Sequence, residues 1–183
     1  MIAVISDIHD NLPNLKTALD YSKSKNVSAL FVLGDITNAA TLKYLAANFS
    51  GPIYLVSGNM EVCDLESEAK KYPRINFLGR HGGIIKIGDK VVGLCHEPSL
   101  IDGLLCHPER SEAESKDPIT RPSIIFYGHT HKPWEEIIPL RQGSAGQENG
   151  VKLVNPGNLA NVFYAPSFAL WDEQTDKLEL KIL

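Results

Sequence analysis

Residues 1–35 decide the fold, and they read MIAVISDIHDNLPNLKTALDYSKSKNVSALFVLGD. Ile2–Ile5 is a short apolar run of β-forming residues, and Ala29–Leu33 is a second run of the same kind. Between them, from Leu15 to about residue 26, apolar residues recur at helical spacing. A strand-helix-strand unit whose strands are apolar predicts a parallel sheet that is covered on both faces.

The rest of the chain extends this unit into a larger α/β fold. Ala39–Phe49 predicts a second helix, Ile53–Val56 a third strand and Val62–Tyr72 a short charged helix. The second half is rich in strands and contains a hairpin around Gly88-Asp89. The other predicted strands are Ile75–Leu78, Ser123–Tyr127, Trp134–Leu140, Gly150–Val154, Ser167–Trp171 and Lys177–Leu183. We therefore expect one domain, residues 1–183, with two packed sheets and helices outside them.

Two polar stretches interrupt this order. Residues 101–122 are charged and rich in proline, and they predict a mobile surface loop that retains at most a helical turn at Ile101–Leu105. Residues 141–149 have the Gly, Ser and Gln content of a hairpin tip.

Composition excludes several classes of protein. The formal net charge is -4, so there is no basic excess with which to bind a long nucleic acid. No apolar run approaches the roughly 18 residues that span a membrane, and the first residues lack the pattern of a signal peptide. The three cysteines form no CxxC pair and predict neither a disulfide framework nor a thiolate zinc site. We expect a cytoplasmic protein.

Five of the predicted strands are each followed by a residue that can coordinate a metal ion. In open α/β sheets the carboxyl ends of the strands share one edge, where ligand sites form. Residues two apart in an extended segment point to the same side, so each Asp-x-His or His-x-His pair would converge on one point. Glycines at 34, 58 and 128 allow close approach of the backbone. The candidate ligands are Asp7, His9, Asp35, Asn59, His96, His129 and His131.

The chemistry of these ligands limits the metal and the reaction. Two carboxylates, four imidazoles and one amide suit Mn, Fe, Zn, Ni or Co better than Ca or Mg. Seven ligands exceed what one catalytic ion takes from a protein, so two ions that share a carboxylate are expected. Two ions about 3.5–4 Å apart can hold a bridging hydroxide and clamp the oxygens of a phosphoryl group. The sequence therefore predicts hydrolysis of a phosphate ester.

The same residues, in this order, resemble the motif set of the calcineurin-like metallophosphoesterases. The motifs are Asp7-x-His9, Gly34-Asp35, Gly58-Asn59, His96 and Gly128-His129-Thr130-His131. The short chain and its Ser6–Asn11 segment most resemble the small YfcE-type phosphodiesterase branch. The resemblance covers almost the whole chain and implies a four-layer αββα sandwich of two mixed sheets flanked by helices. Asn155-Pro156-Gly157-Asn158 resembles the family's Asn-Pro-Gly-Ser turn, although an ordinary turn explains it at least as well.

The resemblance implies a division of the ligands between two divalent ions, with Mn favoured and Ni, Fe, Zn or Co open. One ion would be held by Asp7, His9, Asp35 and His131, and the other by Asp35, Asn59, His96 and His129. Asp35 would bridge the ions, and the catalytic residues Asp35, Asn59 and His96 would act through a metal-bridging hydroxide.

The expected function is that of a phosphodiesterase acting on a small phosphodiester or nucleotide. The expected partner is a small phosphate-ester substrate, with no long nucleic acid and no membrane; a homo-oligomer is left open. Two alternatives also stay open. One is a phosphomonoesterase, since the same metal pair can bind either ester class. The other is a non-catalytic protein-interaction scaffold of the same fold, like the retromer subunit that resembles this branch but has lost metal ligands.

The chain departs from the protein phosphatases of the superfamily at two motifs. Those enzymes have a histidine after the Asn that is thought to protonate the leaving group, whereas this chain has Met60, which cannot donate a proton. Glu61 is a candidate substitute, but we favour an exposed loop carboxylate at this position. No arginine follows Gly34-Asp35 closely, which disfavours protein phosphatase activity.

Three further residues are expected not to be ligands. Cys95 faces away from its neighbour in a strand and is expected in the core. His81 is expected at the surface or at the entry to the hairpin, and His107 follows no predicted strand.

Overall fold

The computed structural model describes residues 1–105, 121–139 and 150–183. These residues form strands and helices that alternate in the first half of the chain, followed by a half dominated by strands. In chain order the elements are β1 (Ile2–Ile5), α1 (Leu12–Ser24), β2 (Ala29–Val32), α2 (Ala39–Asn48), β3 (Ile53–Leu55), α3 (Leu65–Ala69), β4 (Ile75–Phe77), β5 (Gly83–Ile87), β6 (Lys90–Leu94), α4 (Ile101–Leu105), β7 (Ile124–Phe126), β8 (Trp134–Ile138), β9 (Val151–Asn155), β10 (Ser167–Asp172) and β11 (Lys177–Ile182). A 3-10 turn at Pro98–Leu100 leads into α4.

The strands form two mixed sheets. The first has the order β11-β10-β1-β2-β3-β4, in which β1 to β4 are parallel and β10 and β11 are antiparallel. The second has the order β5-β6-β7-β9-β8, in which the three central strands are parallel and both edge strands are antiparallel. The parallel strands of the first sheet are the apolar runs that the sequence predicts.

Side chains from alternate faces of the strands build the layers. In β1, Ala3 and Ile5 pack in the cluster shared with helices α1, α2 and α3. Ile2 and Val4 point the other way, into the cluster between the sheets that includes Trp171. A third cluster lies under α4 on the outer face of the second sheet. Helices, sheet, sheet and helix make four layers, which confirms the predicted fold class.

The first and third helices differ in length from the prediction because of their caps. The side chain of Asn11 accepts a hydrogen bond from the backbone N–H of Asn14 at 3.1 Å, so α1 begins at Leu12 rather than Leu15. The side chain of Asp64 caps α3 in the same way, so this helix cannot begin at residue 62.

The predicted loop at 101–122 begins as a helix. Ile101–Leu105 forms α4 because Ile101 and Leu104 are buried in the cluster that covers Ile125 of the second sheet. Residues 106–120, which include His107, and the predicted hairpin tip at 141–149 lie outside the described residues. Among the helices of the described segments, none has the length and apolar character needed to span a bilayer.

Candidate metal centre

The candidate ligands lie where the carboxyl ends of β1, β2 and β3 meet those of β6 and β7. Backbone hydrogen bonds join the loops that carry them: the N–H of His9 donates to Asp35 O at 2.9 Å. The N–H of Gly128 donates to His96 O at 3.0 Å, which joins two strand ends of the second sheet. All seven predicted residues therefore come to one edge, shared by both sheets.

Their convergence has a different cause from the extended backbone that the sequence suggests. Five of the seven residues have left-handed backbones, with φ of 51° at Asp7, 44° at His9, 52° at Asp35, 68° at His129 and 60° at His131. This conformation costs about 1–2 kcal/mol per non-glycine residue, so surrounding contacts must enforce it. The extended backbone predicted for Asp7–His9 and His129–His131 is therefore wrong.

Two glycines make the close approach of the loops possible. A Cβ at Gly58 would lie 2.0 Å from Asp35 Oδ1 and 2.3 Å from the Asp35 backbone nitrogen. A Cβ at Gly128 would lie 2.0 Å from Ser6 Oγ and 3.0 Å from Asp7 Oδ2. Neither position has room for a side chain, as the sequence predicts for the glycines that precede these ligands.

Asp7, His9 and His131 form one group of donors. Each offers one ligand atom, and these atoms lie within 4.8 Å of one another. Asp7 Oδ1 lies 3.2 Å from His131 Nε2, and Asp7 Oδ2 accepts a hydrogen bond from the backbone N–H of His129 at 3.0 Å. The bond to Oδ2 thus fixes the carboxylate of Asp7, while Oδ1 faces His9 and His131.

Asp7, Asp35 and His96 form a second group with the same spacing. His96 Nδ1 donates to Leu33 O at 2.6 Å, so the lone pair of the neutral ring is on Nε2. That nitrogen lies 2.9 Å from Asn59 Oδ1 and 3.5 Å from Asp35 Oδ2. His129 Nδ1 is 3.0 Å from the same Asn59 oxygen, which brings the remaining two candidates to this group.

The protonation equilibria of the site favour positive charge beside the carboxylates. Burial opposes ionisation of Asp35, but the hydrogen bond and charge of His96, together with the Met60 backbone N–H and the charge of His9, lower the pKa of Asp35. Burial also opposes a charged His96, yet Asp35 and Asp7 raise its pKa above the ordinary value. The carboxylate of Asp7 raises the pKa of His131. The carboxylates therefore stabilise positive charge on the neighbouring imidazoles.

The residues present fit a divalent metal ion. Asp7 Oδ1 and His9 Nε2 are shielded from solvent, and neither makes a hydrogen bond among the described residues. Their nearest ionisable partners are His131 Nε2 at 3.2 Å and Asp35 Oδ2 at 3.5 Å, respectively. Leaving a buried polar atom unpaired costs about 1–3 kcal/mol, which a bound cation would recover. Two donors at about 2.1 Å from a common ion and at right angles lie about 3 Å apart. The nitrogen–oxygen separations of 2.9 Å to 3.5 Å around His96 agree with such an arrangement.

Glu61 is not the exposed loop carboxylate that we favoured from the sequence. Its side chain is half-buried, and Oε1 accepts hydrogen bonds from Ile36 N at 3.2 Å and Gly58 N at 3.1 Å. Oε2 accepts a third from Thr37 N at 2.8 Å. This carboxylate joins the loop after Asp35 to the loop that carries Asn59, so it positions the ligands on both loops.

Replacing Glu61 by alanine is expected to destabilise the metal-free protein by about 2–3 kcal/mol, because three backbone N–H groups lose their acceptor. Urea unfolding measures this change. The matched control is Glu66→Ala, which removes only an exposed ion pair with Lys70 and should change stability by less than about 1 kcal/mol. Equal destabilisation by both substitutions would contradict the positioning role.

The Asn155–Asn158 turn is more than an ordinary connection between strands. Asn155 Nδ2 donates to Gly128 O at 2.8 Å and to Thr130 Oγ1 at 3.0 Å. Asn158 is fully buried, and its Nδ2 donates to His131 O at 3.1 Å. The turn therefore fixes the backbone of the loop with the last two ligands. Its resemblance to the family turn was the available signal for this role.

Two of the three expected non-ligands lie within the described residues. Cys95 is buried, and burial raises the pKa of its thiol to about 12, which confirms a core residue rather than a thiolate ligand. His81 is exposed between β4 and β5 and belongs to neither donor group.

Known proteins resemble this chain in sequence and in fold. Residues 1–176 match the sequence model of the calcineurin-like phosphoesterase superfamily domain. Phosphodiesterase MJ0936 of Methanocaldococcus jannaschii is 24% identical over 184 residues, which cover 98% of this chain and 96% of that protein. A solved structure described as a novel archaeal phosphodiesterase has a TM-score of 0.77 at 20% identity, and the match covers 100% of this chain and 99% of that chain.

A second solved structure shares the fold at lower similarity. The phosphoesterase Yfce from E. coli has a TM-score of 0.56 at 19% identity, with 99% of this chain and 98% of that chain covered. The resemblance drawn from the motifs is thereby confirmed. With its two mixed sheets, its ordered motifs and a family match over residues 1–176, the chain belongs to the calcineurin-like phosphoesterase superfamily.

Proposed function

We propose that the protein is a phosphodiesterase that holds two divalent metal ions and hydrolyses a small phosphodiester or nucleotide in the cytoplasm. The position of Asp35 carries this proposal. Its Oδ2 lies 3.5 Å from His9 Nε2 and 3.5 Å from His96 Nε2, so one carboxylate oxygen faces both groups of donors. This is the position that a carboxylate shared by two ions requires.

The distances support a division of the ligands between the ions. As the resemblance implies, the first ion would take Asp7, His9, Asp35 and His131, and the second would take Asp35, Asn59, His96 and His129. Asp7 also lies close to Asp35 and His96, so its carboxylate borders both groups of ligands. Mn is the favoured metal, although Ni, Fe, Zn or Co suits the same donors. Divalent ions bound here would activate water as a nucleophile and neutralise the charge on the phosphoryl oxygens.

In the described part of the chain, neither of the two residues that follow Asn59 is placed to protonate the leaving group. Met60 cannot donate a proton, and Glu61 is occupied by three backbone N–H groups. An enzyme without a dedicated acid works best on esters whose leaving groups are stable as anions. We therefore expect aryl phosphodiesters to be better laboratory substrates than alkyl phosphodiesters.

The proposal is tested with bis(p-nitrophenyl) phosphate, a diester, and p-nitrophenyl phosphate, a monoester, in a panel of Mn, Ni, Fe, Zn and Co. We expect turnover that depends on added metal and a higher kcat/KM for the diester. The relative named as a phosphodiesterase supports the expected preference for the diester. A higher kcat/KM for the monoester would instead identify a phosphomonoesterase, and failure to bind metal or turn over either ester would favour the scaffold.

A further inference from the structure

The loop after the Asn155–Asn158 turn presents an aromatic ring beside the donors. Phe163 is 89% exposed, and its ring centroid lies 5.9 Å from that of His131. Two hydrogen bonds fix Val162, the residue before Phe163. His131 Nδ1 bonds to Val162 O at 3.3 Å, and Asn158 Oδ1 accepts from Val162 N at 3.2 Å.

The exposure of Phe163 is unfavourable for folding on two counts. An apolar ring is left in water, and the residue has a left-handed backbone with φ of 66°. The core does not require this arrangement, since Leu159 anchors the same loop and is fully buried. Strained residues of this kind gather at binding sites, where the contacts around them enforce the conformation.

A second exposed apolar side chain lies beside the other group of donors. Met60 is 51% exposed, and its backbone N–H donates to Asp35 Oδ1 at 2.9 Å. The proposed metal ligands are thus bordered by two exposed apolar residues, Phe163 next to His131 and Met60 next to Asp35. A substrate that matches this surface carries an organic group directly attached to its phosphate.

We propose that Phe163 is a specificity-determining residue that stacks on an aromatic ring of the substrate, a nucleobase or an aryl group. The inference rests on the proposed function, because it assumes that the phosphate binds at the metal ions that the seven ligands would hold. Stacking of a base on an aromatic side chain contributes roughly tenfold or more to binding when it is measured by substitution to alanine.

The test compares phenyl p-nitrophenyl phosphate with methyl p-nitrophenyl phosphate in the Mn-loaded protein. Both release p-nitrophenolate, so they differ only in the group that stays on the phosphate. Phe163→Ala should lower kcat/KM for the phenyl ester about tenfold, mainly through KM, and leave the methyl ester unchanged. Phe163→Trp should retain the preference for the phenyl ester over the methyl ester. Ile182→Ala, at a residue of β11 that is 58% exposed, is the matched control and should have no effect.

A binding measurement separates this inference from the proposed function. Calorimetric titration of Mn-loaded protein with phenyl phosphate and methyl phosphate measures the preference for a ring without turnover, and Phe163→Ala should abolish it. Failure to hydrolyse either diester would overturn the proposed phosphodiesterase activity. The ratio of the dissociation constants of phenyl phosphate and methyl phosphate would still decide the role of Phe163. The same ratio in the wild type and in Phe163→Ala would overturn the stacking contact.

Discussion

Replacing Asp35 by asparagine is expected to lower kcat/KM for bis(p-nitrophenyl) phosphate by about 10³-fold, since several kcal/mol of charge stabilisation are lost and about 1.4 kcal/mol corresponds to tenfold. The amide can still accept the hydrogen bond from Met60 N that fixes the side chain. It loses the negative charge that faces both His9 and His96. Binding of both ions should therefore fail together, rather than one ion at a time.

The matched control for this substitution is Asp89→Asn. Asp89 is exposed in the β5–β6 hairpin, so the same loss of charge there should leave activity and metal binding unchanged. Circular dichroism of Asp35→Asn checks that the protein is folded. An Asp35→Asn protein with both ions bound and normal turnover would show that Asp35 does not bridge.

Replacing Gly58 by alanine is expected to have the second large effect. The new Cβ would lie 2.0 Å from Asp35 Oδ1 and 2.3 Å from Asp35 N, and the backbone nitrogen cannot rotate away as a side chain could. Overpacking of this kind costs about 1–3 kcal/mol or more, so the urea midpoint should fall. Activity should fall with it, because the clash moves the proposed bridging ligand.

Gly103→Ala separates this clash from a general effect of replacing glycine. Gly103 lies in α4, and no described atom comes within 4 Å of a Cβ placed there. Alanine is favoured over glycine in a helix by about 1 kcal/mol, so this variant should be equal to the wild type in stability or slightly more stable. If Gly58→Ala behaves like Gly103→Ala in urea, the loops are not packed as closely as the structure has them.

The order of elements and the identity of the candidate ligands follow from local features of the sequence. Short apolar runs such as Ile2–Ile5 define buried strands, and a polar residue after each run marks the edge of a sheet. Both features lie within a few residues of one another. The family motifs add a known order along the chain. Because each motif follows a strand, all seven candidates come together at one edge.

The features that the sequence did not predict depend on contacts between distant residues. The left-handed backbone of Asp7 is stabilised where its N–H reaches Gly34 O. Glu61 is an exposed acid by local criteria, and only the approach of the loop containing Ile36 and Thr37 makes it an acceptor of backbone hydrogen bonds. Likewise, α4 is stable because of the sheet beneath it, although its short sequence includes a glycine.

The metal content of the protein tests the central claim most directly. Metal-free protein is equilibrated with Mn²⁺, unbound metal is removed, and the bound metal is measured by elemental analysis for the wild type, Asp35→Asn and Asp89→Asn. We expect two ions per chain in the wild type and in Asp89→Asn, and none in Asp35→Asn. A wild-type chain that binds no Mn²⁺, Ni²⁺, Fe²⁺, Zn²⁺ or Co²⁺, or an Asp35→Asn chain that still binds two ions, would contradict the shared metal centre.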